Sequence, residues 1–116
     1  MNDRILGLLG LMRRAGKLTA GFDAAKDRIK EKTAVLIVFA GDTSEKTEKS
    51  IRFTAAEHDV KLVRIPPIME DIGRAIGRKK AGVLAVTDSG FAKKLLTLFG
   101  KEDEEECTDV IKIQGS

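Results

Sequence analysis

The stretch Ala34-Val35-Leu36-Ile37-Val38-Phe39-Ala40 is a continuous apolar run near the middle of the chain. Its length and its β-branched and aromatic residues are typical of a strand that is covered on both faces. Val83 to Thr87 is a second run of the same kind. Two such strands need helices on both sides of one sheet, so these two runs decide the class of fold.

Helical patterns alternate with these strands. In residues 3–15, apolar side chains recur at the spacing of one helix face, with Asp3 as a cap and Gly16 as the end. A very short extended segment follows. We predict further helices over 22–31, over 44–57, along Met69 to Ile76, and from Asp88 or Ser89 onward. This order predicts an α/β fold, a three-layer α/β/α sandwich around a central, mostly four-stranded mixed sheet.

Two local patterns refine this prediction. Val60 to Ile65 is apolar but carries Lys61 and Arg64, which favours a strand at the edge of the sheet. Asp42 precedes Glu45 by three residues, which predicts a capping box at the start of helix 44–57.

Composition indicates a single globular domain. The chain has 116 residues, of which 42% are apolar and 34% charged. No apolar run approaches the roughly 20 residues that span a bilayer, so we expect no membrane partner. The single cysteine, Cys107, has no partner for an internal disulfide. We therefore expect a reducing, cytoplasmic location.

Charge divides the chain into two parts. Residues 1–100 carry 19 basic and 12 acidic residues, for a charge of +7, whereas residues 101–116 carry a charge of −4. We predict one RNA-binding domain over 1–100 and an acidic tail over 101–116. A basic body with an acidic tail is common among nucleic-acid-binding proteins. The tail could equally be disordered or form an added edge strand.

The residues give little support for catalysis or for a metal. The only histidine, His58, has no second histidine or cysteine beside it, so we expect no metal. Asp88 and Ser89 follow a strand, where α/β enzymes place active residues, but such residues are usually helix caps. Glycine-rich phosphate motifs are absent, so we expect neither an enzyme nor a cofactor.

The basic residues are better organised. Arg13, Arg14 and Lys17 precede the second helix, Lys26 lies within it, and Arg78, Lys79 and Lys80 precede the second apolar run. The chain has no Trp or Tyr, and its five Phe mostly fall at core-like positions. A stacking platform for single-stranded bases is therefore not expected, whereas recognition of the backbone and shape of folded RNA remains open.

Several motifs together resemble one family. They are Leu8-Leu9-Gly10-Leu11-Met12-Arg13-Arg14-Ala15-Gly16-Lys17, the strand ending in Gly41-Asp42, Asp71-Ile72-Gly73-Arg74-Ala75-Ile76-Gly77, and Val86-Thr87-Asp88-Ser89-Gly90-Phe91-Ala92. The chain resembles the L-seven-Ae type of ribosomal proteins, and its bacterial branch in particular, over roughly residues 3–99. The resemblance implies a small α/β/α domain that binds kink-turns in structured RNA, such as ribosomal RNA, with ribosomal proteins as further partners.

The resemblance also implies which residues read RNA. The family turn Gly-x-Asn-Glu-x-x-Lys corresponds here to Gly21 through Asp27. Gly21 is kept, Asp23 replaces the Asn, Ala24 replaces the Glu, and Asp27 replaces the Lys. The acceptors of Asp23 remain but an amide donor and a carboxylate are missing, which predicts weaker or altered kink-turn recognition.

These observations predict a non-catalytic RNA-binding protein. Its expected contact residues are Arg13, Arg14, Lys17, Gly21, Asp23, Lys26, Arg78, Lys79 and Lys80, gathered in one cationic groove. The alternative is a protein-interaction module of the translation machinery that does not read RNA.

Overall fold

The computed structural model of the protein describes residues 2–100 of the chain and the side chains of residues 3–98. The helices are α1 (Asn2–Arg14), α2 (Phe22–Lys30), α3 (Glu45–Glu57), α4 (Met69–Ile76) and α5 (Ser89–Gly100). The strands are β1 (Leu18–Ala20), β2 (Leu36–Phe39), β3 (Lys61–Arg64) and β4 (Val83–Val86). The predicted acidic tail, residues 101–116, lies outside the described residues.

The four strands form one mixed sheet in the order β1-β4-β2-β3. Strand β4 pairs antiparallel with both β1 and β2, whereas β2 pairs in parallel with β3. The prediction of an α/β fold with a mixed sheet is confirmed, and β3 lies at the edge, as its two basic residues indicated.

Alternate residues of the central strands supply two separate cores. Leu36, Val38, Leu84 and Val86 point toward a cluster that includes residues of α1, α4 and α5. Ile37, Phe39, Val83 and Ala85 point the other way, toward residues of α2 and α3. All eight side chains are buried, which explains why both strands read as uninterrupted apolar runs.

The predicted capping box at Asp42 and Glu45 is wrong. The hydroxyl of Ser44 caps α3 by accepting a hydrogen bond from the Thr47 amide at 3.2 Å. Asp42 instead caps α4, since its carboxylate accepts from the Met69 amide at 2.8 Å. The sequence spacing could not show this because α4 lies 27 residues further along the chain.

The strand pairing brings three loops to one end of the sheet. They are the β1–α2 loop, the β2–α3 loop and the α4–β4 loop. The Gly21 amide, before α2, donates to the Val83 carbonyl at the amino end of β4. The Ala40 amide, after β2, donates to the Gly82 carbonyl beside it. The carbonyl of Lys17 accepts from the Thr87 amide at the opposite end of β4. Extended chain between Lys17 and Gly21 separates the two ends by about 13 Å.

Among residues 2–100, no helix is long and apolar enough to cross a membrane.

The loop between α4 and β4 packs against the middle of α4 through a glycine. A Cβ atom at Gly73 would lie 2.5 Å from the Cα of Lys80 and 2.7 Å from the carbonyl carbon of Lys79. Both contacts are with backbone, which cannot rotate away as a side chain could. Gly73 therefore lets the loop that carries Arg78, Lys79 and Lys80, the basic loop, lie against α4.

We predict that Gly73→Ala destabilises the protein by about 2–3 kcal/mol, because the new methyl group forces backbone apart. Gly7→Ala is the matched control in α1, where a Cβ atom meets nothing within 4 Å. It should stabilise the protein by about 0.5–1 kcal/mol through helix propensity. Urea denaturation measures both changes, and equal effects of the two substitutions would contradict the packing described here.

Candidate nucleic-acid interface

A groove of about 310 Å³ opens at the end of the sheet where the three loops meet. We call it the loop groove. The start of α2 forms one wall, the β2–α3 loop a second, and the α4–β4 loop a third. It is lined by Gly21, Phe22, Asp42, Thr43, Ser44, Thr47, Met69, Arg78, Lys80, Ala81, Gly82 and Val83.

The first wall presents the uncapped start of a helix. Gly21 is the N-cap of α2 and makes no side-chain hydrogen bond to the helix. Its φ of 121° is a conformation that side-chain-bearing residues rarely adopt, so glycine is required here. The amide groups of the first turn carry partial positive charge and are directed out of the helix, which suits an anion.

The second wall is held in place by hydrogen bonds from three directions. The Thr43 hydroxyl donates to the Gly82 carbonyl at 2.7 Å and so ties this loop to the third wall. The Gly41 amide donates to the Pro67 carbonyl at 2.8 Å. With the cap that Asp42 provides to α4, these bonds make the loop a rigid part of the groove.

Arg64 completes the anchoring of this loop from the neighbouring edge strand. Its guanidinium donates to the carbonyls of Ala40, Gly41 and Thr43 at 3.1, 3.0 and 3.2 Å. It also donates to the carboxylate of Glu48. From the sequence, Arg64 was predicted only to be a polar residue of an edge strand. Its neighbours in the sequence do not indicate that its side chain contacts the β2–α3 loop.

Glu48 balances the charge of Arg64 and Arg52, both of which form ion pairs with it. Burial raises the pKa of Glu48, but hydrogen bonds from Arg52 and Arg64 and their positive charges outweigh that effect. The net result is a pKa below its ordinary value, so Glu48 is ionised and supports the Arg64 anchor at neutral pH.

The third wall is a basic loop. Gly77 ends α4 in the left-handed conformation, with a φ of 83°. The Arg78 amide then donates to the Gly73 carbonyl at 2.7 Å, and the Ala81 amide to the Met69 carbonyl at 3.0 Å. The backbone is thus fixed while the side chains of residues 78–80 are exposed. Within residues 3–98, no carboxylate forms a salt bridge with these three cations.

The structure divides the nine predicted contact residues into three groups. Gly21, Arg78 and Lys80 line the loop groove. Asp23, Lys26 and Lys79 lie beside it, on the first turns of α2 and in the basic loop. Arg13, Arg14 and Lys17 do not line it, because they lie at the end of α1 and at the carboxyl end of β4. Of the seven cations among these residues, the groove is therefore lined by two, Arg78 and Lys80, and not by all seven as the sequence suggested.

The aromatic residues also differ from expectation. Phe39 is buried, but Phe22 is 37% exposed and Phe53 is 70% exposed. Phe22 lines the loop groove, and the ammonium of Lys26 lies 4.7 Å from the centre of its ring. The expectation that Phe residues are mostly in the core is wrong for these two. Phe22 shares its stripe with the buried Ala25 and Ile29 but is the first residue of α2.

A larger cleft, of about 790 Å³, lies at the opposite end of the sheet. The carboxyl ends of α2 and α3 border it, together with the acidic residues Glu57 and Asp59. Helix carboxyl ends carry partial negative charge, and the two carboxylates outnumber Lys32, the one lysine of the lining, so this cleft suits phosphate less well in spite of its size. Electrostatics therefore favours the smaller loop groove as the nucleic-acid interface.

Sequence comparison agrees with this fold and assigns a family. The family described as "Ribosomal protein L7Ae/L30e/S12e/Gadd45 family" matches residues 3–96. The chain belongs to this family. Family membership confirms the resemblance of its motifs to the L-seven-Ae type.

Relatives within the family include two bacterial proteins named RNA-binding protein YlxQ. That of Bacillus subtilis is 35% identical over 91 residues, which cover 78% of this chain and 90% of the relative. That of Enterococcus faecium is 32% identical over 92 residues, which cover 79% and 87%.

Solved structures share the architecture. A protein of unknown function from Bacillus halodurans has a TM-score of 0.75 and 28% identity, over 82% of this chain and 95% of that one. The Giardia lamblia 15.5kD RNA binding protein has a TM-score of 0.66 over 86% and 85% of the two chains. At 17% identity, the second likeness shows the fold alone.

Asp88 has a structural role that accounts for its position after β4. Its carboxylate accepts a hydrogen bond from the Phe91 amide at 2.9 Å and so caps the first turn of α5. This is the capping that the sequence predicted for Asp88 or Ser89.

We predict that Arg64→Ala destabilises the protein by about 2 kcal/mol, since it removes charged hydrogen bonds to three loop carbonyls. Arg52→Ala is the matched control, because it removes the other, more exposed partner of Glu48. It should cost about 0.5 kcal/mol or less. Urea denaturation at neutral pH compares the two variants, and an Arg52 effect as large as that of Arg64 would contradict the anchoring role.

Proposed function

We propose that the protein is a non-catalytic RNA-binding protein that holds structured RNA in the loop groove. The observation that carries this proposal is the meeting of an uncapped helix start with Arg78 and Lys80 in one groove. Oriented amides and fixed cations at one place favour a phosphate backbone. The family and the printed names of the two bacterial relatives support the same conclusion.

Kink-turn RNA is the finer part of the proposal. Gly21 retains the close approach to the helix start, and Asp23 retains acceptors for guanine edges. Ala24 has no polar side chain, and Asp27 carries charge of the wrong sign for phosphate. Each base edge left unread removes about 1–3 kcal/mol of discrimination, a magnitude taken from DNA readout. We therefore propose a weaker preference for kink-turns than the full motif provides, in the cytoplasm and in connection with ribosomal RNA or ribosomal proteins.

The salt dependence of binding tests which cations meet phosphate. We predict that the triple variant Arg78→Ala, Lys79→Ala, Lys80→Ala binds kink-turn RNA more weakly and flattens the plot of log affinity against log salt. The slope should fall by about 0.7–0.9 for each phosphate that the variant no longer neutralises. Titrations at two salt concentrations, with labelled RNA, measure both quantities. The double variant Arg13→Ala, Lys17→Ala is titrated in the same way. A flatter slope for this variant shows that bound RNA extends to the end of α1.

Lys93→Ala with Lys94→Ala is the matched control, since both lysines are exposed on α5 and neither lines the loop groove. It should leave the slope unchanged. A copy of the RNA with its G·A pairs replaced by Watson–Crick pairs separates specific reading from phosphate attraction. If the wild-type protein binds neither RNA at low salt, RNA binding is wrong and the protein-interaction alternative takes its place.

A further inference from the structure

We propose that the C-terminal segment of this chain, residues 101–116, docks in a groove between α1 and α5, which we call the helix groove. The acidic part of the segment pairs with lysines of α5, and the apolar part that follows it covers the groove floor. The inference goes beyond RNA binding and is independent of it, because the helix groove and the loop groove share no lining residue.

The helix groove is an apolar depression of about 360 Å³. It is lined by Leu8 of α1 and by Lys93, Lys94, Thr97 and Leu98 of α5. Leu8 and Leu98 are half-buried, and Leu11, one turn further along α1 than Leu8, is 45% exposed. Apolar surface that two helices leave open in this way is stabilised by a cover that is itself apolar.

Two lysines of the lining determine the charge of the occupant. Lys93 and Lys94 are both exposed, and within residues 3–98 no carboxylate forms a salt bridge with either of them. Lysine stems pack along apolar surface while their ammonium groups stay in water. The occupant that suits this groove therefore combines carboxylates with apolar side chains.

The segment that follows α5 in the sequence has this combination. Residues 102–106 are the consecutive carboxylates Glu-Asp-Glu-Glu-Glu, and Val110, Ile111 and Ile113 come shortly after them. Carboxylates that are adjacent in the chain repel one another, and cations beside them relieve this repulsion. Docking in the helix groove therefore satisfies both halves of the segment at once.

The segment also begins within reach of the helix groove. α5 ends at Gly100, about 9 Å of helix beyond Lys94. An extended chain advances about 3.3 Å per residue, so residues 102–106 can reach both lysines.

The short tether favours the helix groove over the basic loop, which also attracts carboxylates. No residue of α5 lines the loop groove, whereas four residues of α5 line the helix groove. A short tether gives a local concentration in the millimolar range, so ion pairs that are weak one by one suffice for docking.

The single cysteine of the chain, Cys107, allows a test on the full-length protein. A nitroxide spin label on Cys107 broadens the amide NMR signals of residues near it, and the same sample with its nitroxide reduced is the reference. Outside the segment itself, we expect the largest broadening at Leu8, Lys94 and Thr97 at low salt. The broadening should weaken at about 1 M salt, where the Debye length falls to about 3 Å.

Lys93→Glu with Lys94→Glu should reduce this broadening, because it replaces attraction by repulsion. The ratio of docked to undocked segment should fall roughly 3- to 30-fold. Lys46→Glu with Lys49→Glu is the matched control, since it changes the net charge equally at two exposed lysines of α3, on the other face of the sheet. It should leave the broadening at Leu8 unchanged.

Val110→Asn with Ile111→Asn tests the apolar contacts without a change of charge. It should also reduce the broadening, and a urea midpoint for each variant verifies that the domain is folded. Unchanged broadening in this variant or in the Lys93 and Lys94 variant would overturn the proposal.

Two other outcomes identify a different occupant. If the largest broadening falls on Lys80 and Ala81, the segment lies at the loop groove and docking between α1 and α5 is wrong. If spin-labelled protein broadens the signals of isotope-labelled protein that carries no nitroxide, a second copy of the chain fills the helix groove, which also overturns the proposal. The proposed RNA binding is unaffected by either result.

Discussion

The pairing of β4 between β1 and β2 is the constraint on which the rest of the structure depends. Because both pairings are antiparallel, the amino end of β4 lies beside the end of β1 and the end of β2. The start of α2, the β2–α3 loop and the α4–β4 loop must therefore meet at one end of the sheet. These segments are far apart in the chain, and no local pattern would bring them together without this arrangement.

The meeting of three loops becomes a defined groove because polar contacts fix each of them. Arg64 holds the β2–α3 loop from the edge strand, and Thr43 ties that loop to Gly82. Gly73 allows the basic loop to lie against α4. Rigid loops lose little conformational freedom on binding, so a small groove with few cations can still hold RNA in a defined orientation.

The fold could be predicted from the sequence because the spacing of apolar residues distinguishes buried strands from helices. Strands β2 and β4 are buried on both faces, and so they appear as uninterrupted apolar runs. The edge position of β3 could also be predicted, because Lys61 and Arg64 interrupt its apolar pattern. The Asp42 cap was misassigned because its partner, Met69, is distant in the chain but close in space.

The candidate site was predictable only in part. Gly21 and the basic loop could be recognised from local sequence. Gly21 allows RNA to approach the start of α2 closely, and the basic loop is a run of three cations. The anchoring by Arg64 and the exposure of Phe22 were not, because each depends on what neighbouring elements leave open. Sequence also placed Arg13 and Lys17 in the same groove, although β1 carries the chain away from them before Gly21 is reached.

Mapping the contact surface by amide NMR during an RNA titration tests the central claim most directly. With kink-turn RNA, we predict that the largest shift changes fall on Gly21, Phe22, Ala81 and Gly82. Val35 and Val60, in the cleft at the opposite end of the sheet, should be unaffected. Largest changes at that opposite end, with none in the loop groove, would contradict the account.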